Sequence, residues 1–385
     1  VSEDMTSKRT SVVQAGMGDD PAYKSVSPPI YLSSTYCYNT ISQKGKYDYG
    51  RTANPNRNEL SDTLAMLENG SSCVVTSSGM SAIDLVTNLF NADALFIAPH
   101  DCYAGTHRLL SHRAEQGRLK VKFIDFLNTK EVSDAFKEGP ALIMLESPSN
   151  PLMRLVDISE ICKLAKKAGA LVAVDNTFLS PVRQRPLDLG ADFSVHSTTK
   201  YLNGHSDVVG GAIISKNQEH GDQLTWWANC LGVTGSPFDS YMTLRGMRTL
   251  HSRMDNQETS AMRVAQFLHK HPKIFKVYYP GLPSDPGYNL CKKQQFGPGA
   301  MLSFEVIGGF NAAKKVIEGL KVFQLAPSLG GVESLISYPP TMTHGGISET
   351  ARNDAGIKEN LLRISIGLES PEDLIQDLSA SFTLI

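Results

Sequence analysis

Short apolar runs recur along the middle of the chain, at 73–76, 94–98, 121–126, 141–145, 171–174 and 208–214. Between several of them the apolar spacing becomes helical. The clearest case spans 157–168: Ile158, Ile161, Cys162, Ala165 and Ala168 share one stripe, Asp157 is placed to cap its start and Gly169 its end. Strand and helix in alternation predict an α/β fold with a mostly parallel sheet covered on both faces.

The flanks read differently. Residues 1–60 form a loop-rich arm with turn clusters at Gly18-Asp19-Asp20-Pro21 and Ser27-Pro28-Pro29. Such an arm is expected to lie across a neighbouring subunit or the chain's own second domain. A helix follows, with Leu60, Leu64 and Leu67 on one face and Gly70 past its end. Residues 237–270 carry one long helical periodicity through Tyr241, Leu244, Met247, Leu250, Met254, Met262 and Ala265, suited to link two domains. Beyond 272, strands at 300–306, 334–338 and 361–368 mix with helices near 310–320 and 371–379, the pattern of a smaller α+β domain. The predicted division is an arm over 1–60, an α/β domain over 61–250 and an α+β domain over 251–385.

Composition narrows the class. A chain of 385 residues exceeds the roughly 250–300 at which single cores split. At 41% hydrophobic and 20% charged it supports packed cores and excludes a disordered chain or a coiled coil. Lys and Arg number 37 against 39 for Asp and Glu, so the basic excess of a nucleic-acid binder is missing. No apolar run approaches the roughly 20 residues that span a bilayer. The six cysteines are scattered with no C-x-x-C pair, and the first ten residues are polar; both fit a cytoplasmic protein.

Four places carry more chemistry than packing requires. Ser77-Ser78-Gly79-Met80-Ser81 follows an apolar run and opens a helix; small residues there let N–H groups face a phosphate, or make an ordinary strand–helix corner. Asp175 ends an apolar run, where a carboxylate meets the crevice of an α/β sheet or simply caps a turn. Lys200 follows Ser197, Thr198 and Thr199 and precedes a Gly-rich stretch; it is either a surface lysine or an imine-forming nucleophile with hydroxyls to hold a phosphate beside it. Arg363 interrupts an apolar run. In a central strand its fork suits a carboxylate, and in an edge strand it faces water. Together these are the parts of a pyridoxal-phosphate enzyme: a lysine that holds the aldehyde as an imine, an acid for the ring nitrogen, a phosphate cradle and an anchor for an amino-acid carboxylate.

The segment Asp192–Ser206 resembles the lysine signature of the Cys/Met-metabolism pyridoxal-phosphate enzymes. Pro28-Pro29-Ile30, Tyr49-Gly50-Arg51, Asn54-Pro55, Ser78-Gly79-Met80, Glu146 to Pro151, Asp175 to Phe178 and Ser328 to Gly331 extend the resemblance over nearly the whole chain. Ala98 to Tyr103, Trp226 to Asn229, Gly232 to Gly235 and Phe238 to Tyr241 are most similar to the bacterial cystathionine γ-synthase branch.

The resemblance implies a large pyridoxal-phosphate-binding α/β domain of the type I transferase kind. It also implies a homotetramer built from dimers, acting on small amino acids. The expected activity is γ-replacement, joining an O-acylated homoserine, with the O-succinyl ester favoured, to L-cysteine. The alternatives are γ-lyase or methionine γ-lyase elimination, or sulfhydrylation of a homoserine ester. Lys200 is expected to bind the cofactor and shuttle protons, Asp175 to pair with its ring nitrogen, and Gly79, Met80, Ser197 and Thr199 to hold its phosphate. Tyr103 would stack on the ring, Asn150 lie beside its 3′-oxygen, and Tyr49 and Arg51 reach the phosphate of a neighbouring subunit. Arg363 and Ser328 would hold the substrate α-carboxylate, with Asp48 and Arg108 near the substrate's distal end. Arg108 would pair with a succinyl carboxylate. In one departure, Pro327 stands where the family often has a glutamate that receives the incoming amine.

Overall fold

A computed structural model describes residues 7–18, 20–343, 345 and 349–385. Residues 1–6 of the arm and Asp19 of its first turn cluster lie outside them. In chain order the strands are β1 Ser72–Thr76, β2 Leu95–Pro99, β3 Lys120–Ile124, β4 Leu142–Glu146, β5 Leu171–Asp175, β6 Phe193–Ser197 and β7 Gly211–Ser215. They form one sheet in the order β1-β7-β6-β5-β4-β2-β3, parallel except for β7, which runs against both neighbours. A second sheet holds β8 Ile274–Tyr278, β9 Met301–Val306, β10 Gln324–Leu325, β11 Leu335–Ser337 and β12 Leu361–Ser365. Its order is β10-β11-β12-β9-β8, mostly antiparallel. The α/β class with a mostly parallel sheet and a smaller second sheet is as predicted.

Alternate residues of the central strands enter different cores, which is why those strands read as unbroken apolar runs. Ile143, Leu145, Val172 and Val174 pack on one face, Leu142, Met144 and Ala173 on the other. The first core continues through Leu250, Met254, Ala261 and Leu268 of the helix Leu250–Lys270 to Leu302, Phe304, Leu362 and Ile364 of the second sheet. The two sheets therefore share apolar packing, and what lies between them is held on both sides.

The helix Ile158–Ala168 has the predicted caps: Asp157 accepts from the Glu160 N–H, and Gly169 adopts φ +73°. Other expectations are corrected. The arm contains a helix, Lys8–Gln14. The helix expected at Leu60, Leu64 and Leu67 is present with those leucines buried and Gly70 past its end, and spans Pro55–Glu68 because Asn54 caps it and Pro55 suits its first turn. Its left-handed C-cap is Asn69; Gly70 is small for another reason, since a Cβ there would lie 2.2 Å from Ile214 Cγ2. The 237–270 periodicity belongs to two helices, Pro237–Met247 and Leu250–Lys270. Arg253 holds the break, donating to the Gly246 carbonyl at 2.9 Å and the Tyr201 carbonyl at 2.8 Å. The run 208–214 pairs only from Gly211, because the Gly210 carbonyl is taken by the Thr198 N–H at 3.0 Å and the Thr199 hydroxyl at 3.2 Å. No helix among the described residues is long and apolar enough to cross a membrane.

Candidate active site

The carboxyl ends of β4, β5 and β6 open into a cavity of about 370 Å³. That is where ligands enter open parallel sheets, and the size suits a small molecule. Glu146, Asp175 and Ser197, the last residues of the three strands, all line it.

One wall is the start of the helix Gly79–Thr87, where the first N–H groups have no intrahelical partner. Ser78 caps it by accepting from the Ser81 N–H at 3.1 Å. Gly79 is required by contact: a Cβ there would lie 2.8 Å from Ser197 Cβ and 3.0 Å from its Cα. Ser197 and Thr199 line the cavity, whereas Thr198 is buried away from it. Of the three hydroxyls before Lys200, only the outer two reach the site.

Asp175 receives the Thr177 N–H at 3.0 Å and stands in register beside Glu146. Thr177 also accepts the Ser197 N–H at 2.9 Å, tying β5 to β6. Glu146 accepts the Tyr103 N–H at 2.7 Å and so fixes the residue whose half-exposed ring lines the cavity. Gly105 leaves room for that ring, since a Cβ would meet Tyr103 Cε1 at 2.4 Å. Burial pushes the Glu146 carboxyl well above the usual carboxylate range, and the charge of Asp175 adds to it. Burial also raises Asp175, but the Thr177 hydroxyl and N–H and the charge at His196 pull the other way. Of the two acids, Glu146 is pushed further toward its protonated form.

Across the cavity, Lys200 Nζ donates to Ser328 Oγ at 2.6 Å. Burial, helped by the charge of Arg363, lowers its pKa from 10.5 to about 8. Ser328 has φ +95°, a conformation that typically costs about 1–3 kcal/mol and is found at sites that need it. Gly330 permits the approach: a Cβ there would lie 2.7 Å from the Tyr201 nitrogen.

Arg363 lies on β12 between β11 and β9, so it is central, not at an edge, and is only 2% exposed. Its register neighbours are Ser337 and Ser303, small enough to leave the guanidinium room. Nη1 donates to Asn150 Oδ1 and Nη2 to the Ser328 carbonyl, each at 2.9 Å. Nε is buried with no partner among the described residues.

Thus Gly79, Met80, Tyr103, Asn150, Asp175, Ser197, Thr199, Lys200, Ser328 and Arg363 come together around one cavity, although Ser328 and Arg363 lie more than a hundred residues beyond the other eight. Tyr49, Arg51, Asp48 and Arg108 are not on its wall. Asp48 pairs with Lys44 at 3.4 Å, Arg51 donates to Asn229 Oδ1 at 3.0 Å and lies over the Tyr49 ring, and Arg108 is exposed. Sequence reasoning gave no role to Glu146 or Thr177. Glu146 was visible as a charge ending an apolar run and Thr177 by its place two residues after Asp175, and both lie inside the matched segments Glu146 to Pro151 and Asp175 to Phe178.

A profile described as "Cys/Met metabolism PLP-dependent enzyme" matches residues 9–383. The chain is 49% identical over 380 residues to the cystathionine γ-synthase of Escherichia coli (strain K12), covering 98% of each chain. It is 42% identical over 374 residues to a cystathionine β-lyase of Lactococcus lactis subsp. cremoris (strain MG1363), covering 97% of this chain and 98% of that one. The crystal structure of cystathionine γ-synthase from Xanthomonas oryzae pv. oryzae, in complex with aminoacrylate and cysteine, superposes with a TM-score of 0.97 at 48% identity and 98% coverage of each chain.

The cavity fits a pyridoxal phosphate. Free N–H groups and two hydroxyls suit a phosphate, a depressed lysine suits an imine, and the acid at the end of β5 suits a ring nitrogen. The unpartnered Arg363 Nε leaves donor capacity for a carboxylate beyond the cofactor. Chemistry and likeness agree, and the chain belongs to the Cys/Met metabolism PLP-dependent enzymes, with pyridoxal 5′-phosphate as its cofactor.

Proposed function

We propose that the protein condenses an O-acylated L-homoserine, O-succinyl-L-homoserine before the acetyl ester, with L-cysteine to give cystathionine. One observation carries the reading: Lys200 and Arg363 both reach Ser328, which puts a base beside an anchor for an α-carboxylate. Likeness to the cystathionine γ-synthases supports the choice within the family.

When bound, the cofactor supplies an electron sink for the substrate's α-carbon. Lys200 Nζ takes and returns the α- and β-protons. With a pKa of about 8, about a tenth of it is neutral at pH 7, against about 0.03% for an ordinary lysine. Arg363 and Ser328 hold the α-carboxylate, Asn150 fixes Arg363, and Tyr103 covers the ring. Gly79, Met80, Ser197 and Thr199 receive the phosphate. The γ-acyloxy group leaves as a carboxylate and the cysteine sulfur takes its place on Cγ. Arg108 and Asp48 recognise the distal groups, Arg108 favouring the succinyl carboxylate.

A second reading is elimination from cystathionine or methionine. It is favoured by Pro327, an uncharged wall residue that offers an incoming cysteine's ammonium no partner. Purified holoenzyme given O-succinylhomoserine and cysteine is expected to form cystathionine. Rapid cleavage of cystathionine with no synthesis would decide for the lyase.

We further assign residues 1–60 to an arm, 61–250 to the cofactor domain and 251–385 to a domain closing on the substrate carboxylate. The arm exposes Ile41 fully and Tyr23 at 89%, surface suited to a neighbouring subunit. In the proposed tetramer of paired dimers, Tyr49 and Arg51 complete a neighbour's phosphate site. Mixing Arg51→Ala with Lys200→Ala subunits is expected to restore part of the activity, and no recovery refutes the shared site.

A further inference from the structure

A buried polar cluster lies behind Asp175 and takes no part in the chemistry above. Glu68, the last residue of the helix Pro55–Glu68, and His196 on β6 are both fully buried. Glu68 Oε1 accepts from His196 Nε2 at 2.6 Å, from the Ser194 hydroxyl at 2.8 Å and from Asn176 Nδ2 at 3.0 Å. Glu68 Oε2 and His196 Nδ1 have no partner among the described residues. A carboxylate taken wholly out of water and given three donors on one oxygen is not required to fill a core; an apolar side chain would fill it better.

The geometry leads to Asp175 by two routes. Asn176 is the next residue, and its amide is locked: Nδ2 also donates to the Gln184 carbonyl at 2.7 Å, and Oδ1 accepts from Gln184 Nε2 at 3.1 Å. The Asn176 N–H is bonded to the Val195 carbonyl at 2.9 Å. By the second route, Asp175 pairs in register with Val195, so His196 is one step along the neighbouring strand. On the other flank Asp175 stands in register with Glu146 on β4. Thr177 donates from its own segment, and Lys200 and Arg363 both line the cavity. Asp175 therefore has an acid beside it on β4 and, one residue past its register partner on β6, an imidazole held by a buried carboxylate.

We propose that Glu68 and His196 are a positioning pair for Asp175, keeping its carboxylate ionised and aimed at the cofactor's ring nitrogen. The inference rests on the reading of Asp175 as the partner of that nitrogen. Neither residue touches the cofactor or the substrate. Glu68 fixes the imidazole through Nε2 and, through Nδ2, the side chain of the residue that follows Asp175.

The test is the ¹⁵N chemical shift of the ring nitrogen in holoenzyme loaded with ¹⁵N-labelled pyridoxal phosphate, which reads its protonation directly. Wild type is expected to show a protonated nitrogen, and Asp175→Asn an unprotonated one. Glu68→Gln, isosteric and still an acceptor, and His196→Gln are expected to move the shift toward that of Asp175→Asn. The kcat should fall about tenfold for each pK unit of lost protonation, with KM for the amino acid little changed because Arg363 is untouched. Glu68→Asp should recover part of the shift. If Glu68→Gln and His196→Gln lower the melting temperature but leave the ¹⁵N shift at the wild-type value, the pair is structural only and the proposal fails. If Asp175→Asn itself leaves the shift unmoved, the reading of Asp175 falls, and the proposal with it. Should Glu68→Gln fail to fold, the shift in His196→Gln decides in the same way.

Discussion

Replacing Lys200 with methionine tests the claim that burial neutralises this amine. Methionine fills the space of the aliphatic stem and removes only the titrating head. In the cofactor-free protein, the pKa of Lys200 falls from 10.5 in the unfolded chain to about 8 in the fold, through burial first and the Arg363 charge second. A lowered lysine pKa means the fold disfavours the charged form. The penalty is therefore full below pH 8 and fades as pH rises toward 10.5. At about 1.4 kcal/mol per pH unit it comes to about 3 kcal/mol at pH 7 and about 1 kcal/mol at pH 9.5.

Lys200→Met removes that penalty, and its packing change does not depend on pH. The variant is thus expected to be more stable than wild type near neutrality, with an advantage that shrinks by about 2 kcal/mol between pH 7 and 9.5. For 385 residues an unfolding entropy of about 2.1 cal/mol/K per residue makes this about 2–3 °C in the difference between melting temperatures. Paired thermal melts of cofactor-free wild type and variant across that range give the answer. A difference that stays flat with pH refutes the depressed lysine, and with it the base assigned to the reaction.

Arg363→Lys keeps the charge but loses the fork that spans Asn150, Ser328 and the free Nε. The loss of one charged hydrogen bond, about 1.5–3 kcal/mol, predicts a fall of about 10- to 150-fold in kcat/KM for amino-acid substrates, with the cofactor absorbance intact; steady-state kinetics beside a spectrum would contradict this if KM did not move. Gly79→Ala must push its Cβ into the backbone of Ser197, an overpacking of about 1–3 kcal/mol at the phosphate wall. It is expected to release cofactor on dialysis where wild type retains it, and equal retention would show that the wall yields.

Much of this was legible because parallel strands are buried on both faces. β4 and β5 read as unbroken apolar runs, and their ends located the site acid. β6 was not recognised as a strand, for a physical reason. Its sequence, Phe193-Ser194-Val195-His196-Ser197, alternates like a strand with one wet face, yet Ser194 and His196 are fully buried against Glu68. A rule that equates polar with exposed fails wherever a polar cluster is paired inside the protein. Arg363 was ambiguous for the converse reason: strand order is a tertiary property, and only the flanking strands make the residue central. The loop at Arg248–Thr249 was hidden because both helices bury the same stripe, and the break depends on Arg253, which reaches back to the Gly246 carbonyl.

The same burial acts with opposite sign on the two halves of the cavity. It lowers Lys200, which the proposed reaction needs neutral, and raises Glu146 and Asp175, the second of which must stay charged if it is the proposed ring-nitrogen partner. A dry cavity therefore yields its base without further help and works against its counter-ion. Two corrections are available to Asp175: the donors of Thr177 beside it, and the imidazole behind it. Thr177 belongs to the strand end and comes with the turn. His196 must be held in place, and Glu68, on a helix far away in sequence, is what holds it. The fully buried Glu68–His196 hydrogen bond that hid β6 as a strand is, on this argument, the correction that the desolvated site requires.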